Sequence, residues 1–315
     1  MGATHLTSAF GGDTLTVSEM VKDPTYIPER VLENLDGAFL EEALFRNGGS
    51  NDGVVAYREA AAPYLNDNSE EVAEFAEIPV SDLNLGKLKS IIGVKTALGI
   101  RVSWEMQRFN KIDLVTQQTT ALQNTMIENG VKSALAAFDA ANIPTLGVGS
   151  DWEDNAAYPV QDIRQAKRMI SLAKTPKPAD EPDAPERLMG YRPDIIVLNE
   201  ATLDLALFHE STQKFYNGNA AIENPVYLGI QPATLAGLRV VTSAFIPEGE
   251  AYVMQSGTAG FVSEAEPLTL TPLYSESGEN GFGGSRMSYR CDAIRHRVVA
   301  VDNPKAVVKL TGIEA

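Results

Sequence analysis

Histidines, the cysteine and the paired acids are the residues that could do chemistry, and none of them falls at a chemical spacing. His5, His209 and His296 are the only histidines. None has another His or a Cys at the separation a metal-ligand set uses. Cys291 is the single cysteine, which rules out a thiolate zinc site and any intrachain disulfide. His296 sits between Arg295 and Arg297, a setting for a surface or interface role rather than for catalysis. No nucleophile elbow accompanies the serines, so a Ser-His-Asp triad has no local support. Gly281-Phe282-Gly283-Gly284 lacks the strand-turn-helix setting of a phosphate loop. Glu41-Glu42 and Glu70-Glu71 could do acid–base work in principle, but nothing else converges on them and they read as solvated charge. The expectation is a chain that is not an enzyme and takes no cofactor or metal.

The charges are unevenly placed. The net charge is -16 over 315 residues. Residues 1–86 hold 16 acids and four bases, and residues 87–315 hold 26 acids and 22 bases. Two readings stand: the acidic third meets something basic, or it is a solvated surface that repels nucleic acid and aids solubility. No apolar run approaches the roughly 20 residues of a membrane-spanning helix. Met1 to Phe10 lacks a basic stretch followed by an apolar one, so no secretory signal is read there. One cysteine fits synthesis in the cytosol.

The elements that carry these charges are unusual in length. Residues 1–45 read as an arm, with Pro24 and Pro28 as interruptions and a short helix from Pro28 to Phe45. Its stripe is Val31, Leu32, Leu35, Phe39, Ala43 and Leu44. Asn47 to Gly53 is a loop. From Leu88 to Val102 the alternation has period two: Leu88, Ile92, Val94, Leu98, Ile100 and Val102 on one face, Lys87, Lys89, Lys95 and Arg101 on the other. Glu71 to Val80 is expected as the opposing limb of a hairpin, with its glutamates facing the lysines. Such a ribbon is only marginally stable alone and wants a neighbour to lie on. Ile112 to Ala141 reads as one helix of about 45 Å, stopping before Pro144 and containing Gly130, which costs roughly 1 kcal/mol relative to Ala. A helix over Pro159–Lys174, an exposed loop over Lys174–Arg187, a buried strand over Asp194–Asn199 and a helix over Glu200–Phe208 follow. Strands are read at Leu238–Thr242, Glu250–Gln255, Leu268–Leu273, Tyr289–Val301 and Ala306–Leu310, with Gly278–Ser285 a flexible connection. Trp104 and Trp152 read as packing anchors.

This order resembles the major capsid proteins of tailed bacteriophages, the Hong Kong phage capsid fold shared with encapsulin shells, and most of all those of actinobacteriophages. Four stretches carry the resemblance: Ala43-Leu44-Phe45-Arg46 into Tyr57-Arg58-Glu59; Ala76 to Ser81 with Lys95 to Met106; Arg192 to Asn199; and Leu238 to Gly249 with Arg295 to Lys309. It implies an α+β fold divided as an N-terminal arm (1–52), an extended loop (53–95), a peripheral domain with the spine helix (96–145), an axial domain (146–262) and peripheral C-terminal strands (263–315). It implies hexamers and pentamers that tile an icosahedral shell around double-stranded DNA in the phage head, without a membrane, with a portal and a decoration protein among the expected partners. The arm and extended loop would reach over neighbouring subunits. Some members bond a loop lysine to a neighbour's asparagine; residues 47–86 contain no lysine and Ile78 falls near that place, so no crosslink is expected. The arm follows Met1 directly, so a separate scaffolding protein is expected. An encapsulin-like compartment shell and a soluble α/β enzyme are the competing readings.

On this view the acids of the loop, Glu70, Glu71, Glu74 and Glu77, lie against a neighbour's basic surface. Candidates are Arg286, Arg290, Arg295, Arg297, Lys305 and Lys309, six bases against two acids in residues 286–309. The alternative is that these charges pair within one subunit. Exposed pairs contribute only about 0–1 kcal/mol each, so they would set register more than strength.

Overall fold

The computed structural model describes residues 16–35, 37–59, 63–65, 67, 69–83, 86–175, 186–216, 234–277, 282–283 and 285–314. His5 and most of the Lys174–Arg187 and Gly278–Ser285 loops lie outside the described residues. The chain begins with three short helices, α1 (Val17–Lys22), α2 (Tyr26–Leu35) and α3 (Leu40–Leu44). Thr16 caps α1 from both sides: its hydroxyl accepts from the Glu19 amide, and the Glu19 carboxylate accepts from the Thr16 amide. The helix expected over Pro28–Phe45 is two helices, because Gly37 takes a φ of +70° and turns the chain between them.

Long elements follow. Strands β1 (Arg46–Ser50), β2 (Val54–Glu59), β3 (Lys87–Ile92) and β4 (Val94–Ser103) lead through α4 (Trp104–Arg108) to α5 (Ile112–Ala140). The spine α5 serves two cores. Val115, Leu122 and Met126 on its first half meet Val17, Ile27, Val31 and Leu35 of the arm. Val131, Ala134 and Phe138 on its second half meet the larger core around Ile195–Leu198. A helix that packs into two cores has to be longer than either requires. The arm from residue 17 onward is therefore packed into its own subunit, contrary to the expectation that it reaches over a neighbour; its apolar stripe finds a matching stripe on α5.

The larger core surrounds a six-stranded sheet. Its strands are β5 (Thr145–Gly147), β6 (Ile195–Leu198), β7 (Thr234–Leu235), β8 (Leu238–Thr242), β9 (Ala251–Met254) and β13 (Val307–Thr311), in the order β5-β13-β9-β6-β8-β7. All four residues of β6 and of β9 are buried, as continuous apolar runs in a sheet covered on both faces should be. Helix α6 (Pro159–Ser171) turns Ile163, Ala166 and Ile170 inward. Helix α7 (Glu200–Phe208) starts at Asn199, whose side chain accepts from the Ala201 amide, and α8 (Glu210–Tyr216) follows. Trp152 is buried and its indole donates to the buried Asp162 of α6 at 3.0 Å, the anchoring role expected of it.

The second sheet has β12 (Ser288–Val301) as its axis, with β10 (Gly260–Leu270) and β11 (Tyr274–Ser275) on one edge and β4 on the other; β1 adds to β10 in parallel. The last strand departs from expectation. Residues 263–315 were expected in one peripheral unit, but β13 pairs with β9 and β5 in the six-stranded sheet. Five residues, Asp302 and Asn303 and then the 3-10 turn Pro304–Ala306, separate it from β12, and the chain crosses between sheets there.

Candidate assembly interface

The hairpin is built differently from its sequence pattern. β3 pairs with β2 in the register Val54↔Ile92 to Glu59↔Lys87, while Glu71–Val80 forms no strand. Lysines on β3 are met by β2: Lys89 pairs with Glu59. A pattern of alternation marks a strand but not its partner, and Val54–Glu59 has the residues to pair. The root of the hairpin is two facing glycines. The Gly93 amide donates to the Gly53 carbonyl at 2.7 Å, Gly53 has a φ of +92°, and the His296 ring fills the space a side chain at Gly93 would need. Above the root, Val55, Tyr57 and Ile91 rest on Phe261, Val298 and Ala300.

Beyond this pad Arg187 donates to the Leu65 carbonyl at 3.0 Å and Leu65 bridges to Leu83, and past that point the loop stands clear. Between residues 69 and 80 the chain has no regular structure apart from a turn at Glu74-Phe75. Phe75 is 98% exposed and Val80 94% exposed; Val72 and Ile78 are exposed as well. Glu70, Glu71, Glu74 and Glu77 are exposed and make no ion pair with any described residue. Exposed apolar side chains interleaved with charge in this way are of the kind that contacts between macromolecules use.

The bases expected opposite these acids are engaged within the chain. Arg295 and Arg297 are buried. Arg295 donates to Glu41 at 3.2 Å, to Glu42 at 3.1 Å and to Glu264 at 2.8 Å, and its guanidinium lies over the Phe39 ring. Arg297 pairs with Glu41 and donates to Ser133 of α5 at 3.2 Å. Burial lowers the Arg297 guanidinium to about 10, which leaves it charged at neutral pH. These two residues are thus unavailable to a neighbour, because β12 points them inward, under α3. Arg286 and Arg290 converge on Glu276 with Arg101, and Arg290 also donates to Asp292 at 2.7 Å. Hydrogen bonds from Arg101 first, then Ser288, hold the Glu276 carboxyl down at about 2. Lys309 pairs with Glu250, and Lys305 donates to the Lys174 carbonyl.

Sequence reasoning missed the Glu41 network. Glu41 has 0% exposure, between α5 and β12. The one local signal was Gly130: a Cβ there would stand 2.5 Å from Glu41 Oε2. The mid-helix glycine makes room for a carboxylate.

The two-core subunit with its spine helix, projecting hairpin loop and packed arm shares its fold with solved proteins. A virus-like particle protein from Pyrococcus furiosus aligns with TM-score 0.54 and 10% identity, covering 90% of this chain and 97% of that one. The structure from Mycobacterium phage Bobi aligns with TM-score 0.51 and 14% identity, covering 99% and 95%. The capsid of a native GTA particle aligns with TM-score 0.53 and 12% identity, covering 88% and 90%. Among curated proteins, none matches this sequence. The phage capsid protein family model matches residues 89–310, and the chain belongs to that family. It is a capsid shell protein, and the encapsulin-like alternative is not favoured.

Proposed function

We propose that many copies of this chain close into six-membered and five-membered rings that tile an icosahedral phage head around double-stranded DNA. Contacts between copies are non-covalent, the loop of one copy lying on the next. A scaffolding protein, a portal and a decoration protein complete the set of partners in this reading, with assembly in the host cytoplasm. The observation that carries it is the segment 69–80, whose Val72, Phe75, Ile78 and Val80 are exposed on a loop held off the body. The net charge of -16 suits an inner wall that encloses DNA without gripping it. Electron microscopy of the purified protein tests this reading. Closed shells of hexagonal and pentagonal units are the expected result, and a small soluble oligomer would overturn it.

A further inference from the structure

Arg295 and Arg297 are buried, Lys309 pairs with Glu250, and Arg286 and Arg290 share Glu276 and Asp292 with Arg101, so the C-terminal strands offer the acids of segment 70–78 bases mixed with acids. The segment is a triplet repeat: Glu71-Val72-Ala73, Glu74-Phe75-Ala76, Glu77-Ile78-Pro79. Each triplet offers one acid and one apolar side chain. Its complement is a face that alternates bases with apolar side chains and carries no acid.

Several exposed faces of the described chain combine bases with apolar side chains. The β3–β4 ribbon has Lys87 and Lys95 among Leu88, Ile92, Val94 and Leu98, but Glu59 stands opposite Lys87 and pairs with Lys89, and eight residues of strand hold the two lysines about 26 Å apart, too far for Glu71 and Glu74 to reach both. The edge with Arg101, Arg286, Arg290, Phe282 and Met287 carries Glu276 and Asp292 among its bases. The corner between α4 and α5 has Arg108, Phe109, Lys111 and Leu114, but exposed Glu105 and Asp113 stand among them and cancel its charge. The outer face of α6 has Arg164 and Arg168 one turn apart, beside Met169 at 41% exposure and Leu172 at 51%. Its single acid, Asp162, is buried and bonded to Trp152. Neither Arg164 nor Arg168 pairs with any described residue. Like charges at i and i+4 cost helix stability, so this pair is tolerated at a loss that an outside acid would reverse.

We propose that the outer face of α6 seats the acidic segment 70–78 of a second copy of this chain. Glu71 and Glu74 face Arg164 and Arg168, and Phe75 and Ile78 cover Met169 and Leu172. The inference rests on the shell reading above and names the loop's acceptor. Like-charge juxtaposition across such a contact is strongly disfavoured, so the contact also sets which surface the loop can choose.

Charge exchange tests it. The unmutated chain, Glu71→Lys/Glu74→Lys, Arg164→Glu/Arg168→Glu and the combined fourfold variant are compared for shell yield by sedimentation and electron microscopy, with circular dichroism as the check on folding. Each reversed pair, folded normally, is expected to lower shell yield about tenfold or more, and the fourfold variant is expected to recover most of it. Undiminished yield in either reversed pair, or no recovery in the fourfold variant, overturns the proposal. Recovery of the Glu71→Lys/Glu74→Lys variant by Arg108→Glu/Lys111→Glu instead would move the seat to the α4–α5 corner and overturn it too. Arg164→Glu/Arg168→Glu shells that form normally but retain less DNA would make α6 a nucleic-acid surface, again overturning it. Failure of the unmutated chain to form shells strikes the shell reading itself, and is read separately in that arm.

Discussion

Glu41 Oε2 occupies the space that a side chain at Gly130 would fill, 2.5 Å from where its Cβ would stand. Alanine at an ordinary helix position gains roughly 1 kcal/mol over glycine. Here the sign reverses. Gly130→Ala forces the carboxylate away from Arg295 and Arg297 and is expected to destabilise the subunit by about 1–3 kcal/mol. Glu41→Ala leaves two buried guanidiniums with less compensation and is expected to cost about 3–5 kcal/mol. Urea unfolding of unassembled subunits measures both; a stabilised Gly130→Ala would show that the carboxylate yields without loss.

Trp152 and Asp162 form the second buried polar pair that the fold depends on. Asp162→Leu orphans the indole N–H inside the core and is expected to cost about 1–3 kcal/mol. Tryptophan fluorescence reports the change, since Trp104 is the only other tryptophan. An unfolding midpoint equal to that of the unmutated chain would remove Asp162 from this role.

Acid stability should depend on Glu276. Its carboxyl falls from 4.5 to about 2 in the folded chain because Arg101, Ser288 and Arg286 hydrogen-bond to the ionised form. A depressed carboxylate contributes fully above pH 4.5, and that contribution fades as pH falls and is gone below about 2. Glu276→Gln should lose stability at neutral pH and show a shallower decline between pH 4.5 and 2. Parallel stability–pH curves for the two proteins would refute this assignment.

Phe75 separates folding from assembly. Its ring touches solvent almost entirely, so Phe75→Ser should change subunit stability by no more than about 0.5 kcal/mol. Shell yield should fall clearly. If shells form as before, the ring is not a contact between copies.

Mature shells should dissolve into one band of 34.0 kDa on a denaturing gel, since residues 47–86 offer no lysine for a crosslink. A ladder of multiples that survives boiling in detergent would contradict the non-covalent reading.

Much of the scaffold was readable from periodicity. The spine helix was expected over Ile112–Ala141 and spans Ile112–Ala140; the strand at Asp194–Asn199 is Ile195–Leu198. Partners were harder. Alternation in Leu88–Val102 marked one long strand, which Gly93 divides into β3 and β4, and the ladder partner of β3 is not the limb expected at Glu71–Val80 but β2, with Glu59 opposite Lys87 and Val54 opposite Ile92, beyond any local pattern. β13 resembles its neighbours in composition, and only the crossing at Pro304 sends it to the other sheet. At the candidate site the exposed acids of the loop were legible as charge. The burial of Glu41, Arg295 and Arg297 was not, because a charged residue in an acidic arm looks solvated until the fold brings its counter-ions from 254 residues away.

The single residue between β3 and β4 has a mechanical consequence. A tug on the hairpin passes through Gly93 straight into β4, which is laddered to β12 from Val94↔Arg297 to Ser103↔Ser288. Force applied along that strand loads the whole ladder together in shear instead of unzipping it one bond after another. With the loop seated as proposed on the next subunit, pressure from within makes it a tether whose weak point is that seat and not its root.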